Sequence, residues 1–179
     1  TELMILQENA TSTEGNLQSY INGPIRKYVN GSDFVFPTGK NGRWARIAIT
    51  DLANTTSGDY FTANYIPFRF IDNTVIDLSH ISGLEYWILD RSTAATTEAK
   101  VTLYWEDAVF SDINEVSIQD LRVAHYTNTP STGWYDRGGV LGGSLAQGTV
   151  TTTDRQNDFS PWTFGSLNGI NSLPIRLIS

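Results

Sequence analysis

The chain has 179 residues, room for one domain with a core, and no cysteine, which excludes disulfides, thiolate metal sites and thiol nucleophiles. Its net charge of −7, spread along the sequence, makes a surface that repels phosphate backbones, so no nucleic-acid partner is expected. Apolar residues make up 40% and charged residues only 17%, and no stretch approaches the ~20 apolar residues of a membrane span, so no membrane insertion is expected.

In chain order, "ELMILQ" (2–7) reads as a first strand. No basic-then-apolar leader opens this stretch, so for an exported chain the signal is expected to have been removed or to lie outside this sequence. "GNLQSYINGPIRKYV" (15–29) reads as a strand, a Gly-Pro turn and a second strand. "SDFVFPTGKNGRWARIAIT" (32–50) places two strands around a Pro/Gly/Asn loop, with Ala45, Ile47 and Ile49 on one face of the second. "GDYFTANYIPFRF" (58–70) is an aromatic strand in which Pro67 marks a bulge or an edge. "NTVIDLSHISGL" (73–84) is expected to hold a short helix or an extended crossing. "EYWILDR" (85–91), "AKVTLYWED" (99–107), "DLRVAHYT" (120–127), "GWYDRG" (133–138), "GTVTTT" (148–153) and "SPWTFGSL" (160–167) follow as strands. Between them, "SDINEVSIQDL" (111–121) suits one helical turn with Asp112 as its N-cap. "NGINSLPIRLIS" (168–179) reads as a linker ending in one more strand.

About ten short strands separated by turns, with no break in composition, predict one all-β domain over residues 1–179. The expected architecture is an antiparallel two-sheet β-sandwich of jelly-roll or immunoglobulin-like type.

Glu85, Trp87 and Leu89 share one side of the "EYWILDR" strand, so Glu85 is expected to be a partly buried acid held by an arginine such as Arg122. Glu85, Asp90, Glu106 and Asp107 show no spacing that argues for a glycosidase pair. His80 and His125 are too few and too separate for a histidine metal site, and His125 alternates with Val123 as a packed strand residue does. "GGSLAQG" is not a nucleophile elbow, and "DRGGVLGGSLAQG" (136–148) lacks the Lys-Ser/Thr of a phosphate loop and reads as a flexible hairpin connection. Catalysis is therefore not expected. Calcium is the one metal the composition leaves open, through loop oxygens that include Asp72, Asp77 and Asp112. The aromatic surplus suggests sugar stacking, with Trp134 and Tyr135 at a hairpin turn and Tyr126 nearby.

Several stretches also occur in a known order. "SYINGPIRKYVNGSDFVFPTGKNGRWARIAI", "LEYWILDR", "VTLYWED", "DLRVAHYTNTPSTGWYDRG", "FSPWTFGS" and "NSLPIRLIS" resemble, from about Tyr20 to Ser179, an adhesin-like β-module of secreted and cell-surface Bacteroidetes proteins. Such proteins carry a C-terminal β-domain that directs type IX secretion. Ser172 stands where that pattern usually has Pro, and Arg176 where it has an acid or Thr. The resemblance implies an extracellular or surface-bound, non-catalytic module. Its expected partners are copies of itself or neighbouring modules of the same protein, and glycans if the aromatic rings are exposed. "TELMILQ" and "PIRLIS" are strand-prone, so assembly by strand addition is expected.

Overall fold

The computed structural model describes residues 2–106, 108–111, 113 and 117–168. Among these residues the chain is all-β. In order, its first strands are β1 (Met4–Leu6), β2 (Ile25–Tyr28), β3 (Phe34–Phe36), β4 (Gly39–Lys40) and β5 (Arg43–Trp44). The middle of the chain forms β6 (Ile47–Ala53), β7 (Tyr60–Ile66), β8 (His80–Ile81), β9 (Tyr86–Arg91) and β10 (Glu98–Trp105). A helical turn, α1 (Ala108–Ser111), and a 3-10 turn (Ser117–Asp120) precede β11 (Leu121–Thr127), β12 (Gly133–Asp136), β13 (Val140–Gly143), β14 (Gly148–Thr151) and β15 (Trp162–Ser166). No helix among the described residues is long and apolar enough to cross a membrane.

The first sheet runs β1-β2-β7-β9-β15-β11-β12, with β8 paired to β15, and the second runs β13-β14-β10-β6-β3. Strands β4 and β5 form a separate hairpin whose Asn41 and Gly42 both have positive φ, 55° and 76°. That is the twist-matched two-residue turn that Asn-Gly favours. The stretch read as a loop is thus a small hairpin, and the strand expected around 16–21 is reduced to isolated bridges at Asn16, Ser19 and Ile21. The fifteen strands among the described residues exceed the expected ten through such short pieces. The pairing is also not wholly antiparallel, since β1 runs parallel to β2 with Ile5 opposite Arg26. Asp112 and residues 169–179 lie outside the described residues.

Alternation shapes the interior. Phe61, Ala63 and Tyr65 of β7, Trp87 and Leu89 of β9, and Phe164 of β15 are buried in the first sheet. They share one apolar cluster with Ile47, Ile49, Val101, Leu103, Trp105 and Val150 of the second sheet. The rings of Trp105 and Phe164 meet across it at 6.4 Å. The stretch at 85–91 is therefore a central strand, between β7 and β15, with Trp87 and Leu89 facing the core. A smaller cluster of Leu78, Ala124 and Trp134, with Phe70, Val75 and Tyr126 against it, lies apart from the main core.

Candidate functional site

Tyr126 sits on β11 and Trp134 on β12, directly opposite each other, so their side chains share one face. The extended crossing at 70–78 packs onto that face. Phe70 meets Trp134 at 5.3 Å and Tyr126 at 5.0 Å between ring centroids. Asp72 clasps both partners: its carboxylate accepts the Tyr126 hydroxyl at 2.7 Å, and its backbone carbonyl accepts the Trp134 indole N–H at 2.8 Å. The backbone N–H of Thr74 also donates to the Asp72 carboxylate at 2.9 Å. That bond first, then the Tyr126 hydroxyl, hold the Asp72 carboxyl below its usual range.

This arrangement corrects the stacking expectation. Trp134 is fully buried, so its ring cannot meet a sugar. Tyr126 and Tyr135 are half-buried, and the Tyr135 hydroxyl is engaged by the backbone of Ser131, donating at 3.0 Å and accepting at 3.1 Å. Asp72 and Asp77 are used as backbone clasps, Asp77 accepting the N–H of Asp136 at 2.7 Å. No three His, Asp or Glu side chains converge as a metal cage among the described residues.

Glu85 is a second candidate. Parity turns it inward, as expected, but its partners differ from the expectation. Arg122 pairs instead with Asp136 at 3.7 Å. Glu85 accepts the Tyr65 hydroxyl at 2.6 Å, with the Ser111 hydroxyl and the Arg43 guanidinium nearby. Burial pushes its carboxyl up despite these groups, and burial followed by the Glu85 charge pushes Tyr65 up. The second carboxylate oxygen of Glu85 and one terminal nitrogen of Arg43 are buried with no partner among the described residues. The hollow they line holds only about 10 Å³, about one water, and no substrate. Beside it Arg46 lies between the rings of Trp44 and Tyr104, at 4.4 and 4.1 Å, and pairs with Glu106 and Glu14. No sequence signal links Arg43, Tyr65 and Ser111 to Glu85, because long-range topology brings them together.

His125 is buried and stacks on Trp162 at 4.2 Å. Burial pushes it down to about 4, helped by the Arg137 charge and opposed by Asp158. This is the packed strand histidine that its alternation with Val123 suggests.

The remaining feature is an edge. Strand β1 closes one side of the first sheet, and Leu3, Met4 and Ile5 are 39%, 44% and 49% exposed. Lys27 on β2 donates to the carbonyls of Gln7 at 2.7 Å and Glu8 at 2.6 Å, which fixes where the strand leaves the sheet. Residues 8–12 then line a hollow of about 360 Å³ over Lys27 and Phe34. Comparison with protein-family models, with curated proteins and with solved structures finds no match to this chain.

Proposed function

We propose that this protein is a non-catalytic structural or adhesive module of an extracellular surface protein or fibre, built as a two-sheet sandwich and joined to its own copies by exchange of β1. The sandwich reading is supported by the single apolar cluster drawn from both sheets. The surface habitat is supported by the ordered resemblance to adhesin-like Bacteroidetes modules and by the low-charge, Thr/Ser/Asn-rich composition.

The observation that carries the assembly reading is the state of β1. It is three residues long, exposes Met4 and Ile5 while Leu6 packs on the core, pairs with one neighbour, and leaves the sheet through a segment that lines a hollow. Exchange of an identical strand keeps every contact of the closed form, including the Lys27 grip, so it costs little. The chain has no cysteine, so an introduced pair reports on pairing without background. With Ile5→Cys and Arg26→Cys, cross-strand neighbours in the observed register, oxidation at rising protein concentration should yield a growing share of chains linked to one another. Only intrachain bridges at every concentration would sink the reading.

A further inference from the structure

A cleft of about 540 Å³ opens where the last residues of β12 meet the loop after β14. Its walls join the two sheets. Arg137 N–H donates to the carbonyl of Val123 at 2.9 Å, Thr153 N–H donates to that of Arg137 at 2.9 Å, and Gln156 N–H donates to that of Ala99 at 2.8 Å. The shape is therefore set by backbone bonds before any ligand arrives, which lowers the cost of binding.

The lining divides into committed and uncommitted groups. Arg155 is spent on Asp51, donating to its carbonyl at 2.6 Å and pairing with its carboxylate at 2.5 Å. Asp136 is spent on Arg122 and on the N–H of Gly138, at 3.7 and 2.7 Å. Arg137, by contrast, makes no ion pair and no side-chain hydrogen bond among the described residues. Its guanidinium is held 5.5 Å over the Tyr135 ring, which the Ser131 backbone anchors. The side chains of Glu98, Asp154 and Asn157, also lining the cleft, likewise make no ion pair and no side-chain hydrogen bond among the described residues.

One free cation beside two free carboxylates, in a chain of net charge −7, does not suit an anion. The acids do not converge as a metal cage either. Donors and acceptors side by side in a preformed polar cleft suit groups that both donate and accept, which are hydroxyls. We propose that this cleft binds one or two residues of a neutral carbohydrate, with Arg137 and Asn157 donating to its hydroxyls and Asp154 and Glu98 accepting from them. The site goes beyond the assembly reading and does not depend on it. It also differs from the ring-stacking site suggested by Trp134.

The test is saturation-transfer NMR on the full chain with methyl glucoside, methyl galactoside, methyl mannoside, N-acetylglucosamine and cellobiose. At least one should give transfer with a dissociation constant of a few mM or tighter, at sugar concentrations up to about 10 mM. Arg137→Ala should abolish the signal. Asn157→Ala, an exposed loop change that leaves the fold intact, should weaken binding about tenfold, while Tyr126→Phe, outside the cleft, should leave it unchanged. No transfer from any of the five sugars, or wild-type binding retained by both cleft variants, would overturn the proposal.

Discussion

The two ends of the first sheet are handled in opposite ways. At the β12 end the open backbone is covered: Trp134 N–H donates to the carbonyl of Thr74, Ile76 N–H donates to that of Trp134, and Asp77 takes the N–H of Asp136. Behind this seam sit Asp72, Tyr126 and the buried Trp134. At the β1 end, Met4 and Ile5 of the strand and Leu3 just before it carry exposed apolar side chains, Leu6 packs against the core, and no charge stands among these four. Charged side chains and covering segments are the usual means of blunting an edge. One end uses a covering segment and the other uses neither, so the edges differ in stability and in availability to a second chain. The expectation is that damage to the β12 seam unfolds the molecule, and damage to β1 leaves the fold and removes the contact.

The largest effect is expected at the sealed edge. Trp134→Ala empties the centre of the smaller cluster and strips the ring from Phe70, Val75 and Tyr126. The loss should be about 3–5 kcal/mol, read as a lower urea midpoint with an unchanged slope. A glycan-binding change without a stability change would contradict the buried role of this ring.

Acid should act next, through His125 of β11 and the Trp162 ring of β15 stacked on it. His125, pushed down to about 4 by burial beside Trp162, stays neutral in the fold while the unfolded chain takes up its proton near pH 6.5. The stability this gives is complete above that pH and is lost as pH falls towards 4, about 3 kcal/mol in all. His80, also pushed down by burial, adds in the same direction. Glu85 acts oppositely, because its raised carboxyl favours the fold at low pH and loses that contribution as pH rises through its folded value. His125→Phe should flatten most of the decline between pH 6.5 and 4 in denaturant titrations at stepped pH. An unchanged decline would assign the acid sensitivity elsewhere.

The contrast between edges also marks how far the sequence could be read. Strands with strong alternation, such as β7, β9, β10 and β11, were legible, and so was the inward turn of Glu85, because a period of two needs no knowledge of neighbours. The parallel sense of β1 was not, since alternation carries no direction. The β4–β5 hairpin hid in a stretch too short for a period, although its Asn-Gly pair is itself a hairpin signal. Trp134 and Tyr135 could be assigned to opposite faces, but nothing local said that residues 70–78 would cover one of them. The partners of Glu85 and the cleft at Arg137 depend on contacts across the two sheets, which no single stretch encodes.

A smaller effect at the sealed edge should follow from Tyr126→Phe. The ring keeps its contacts with Phe70 and Trp134, and only the hydroxyl bond to Asp72 is lost. A loss of no more than about 1 kcal/mol is expected by thermal or urea melting. A loss as large as that of Trp134→Ala would mean that the clasp, rather than ring burial, holds residues 70–78 in place.

The smallest change in stability, and the sharpest test of the comparison, belongs to Ile5→Lys. The side chain is half exposed at the outer strand of the sheet, so the change should alter unfolding by only about 0.5 kcal/mol in either direction. Exchange re-forms the same β1–β2 pairing in the partner copy, so this lysine meets the same surroundings in the closed and exchanged forms, whereas a further chain laid edge to edge along β1 would meet its charge. Light scattering should therefore report the same association state as the parent chain, with the same melting curve. If Ile5→Lys instead lowers stability as much as Trp134→Ala, β1 is part of the closed fold to the same degree as the seam, and the asymmetry between the two edges disappears. If association is lost, copies join edge to edge along β1 and not by exchanging it.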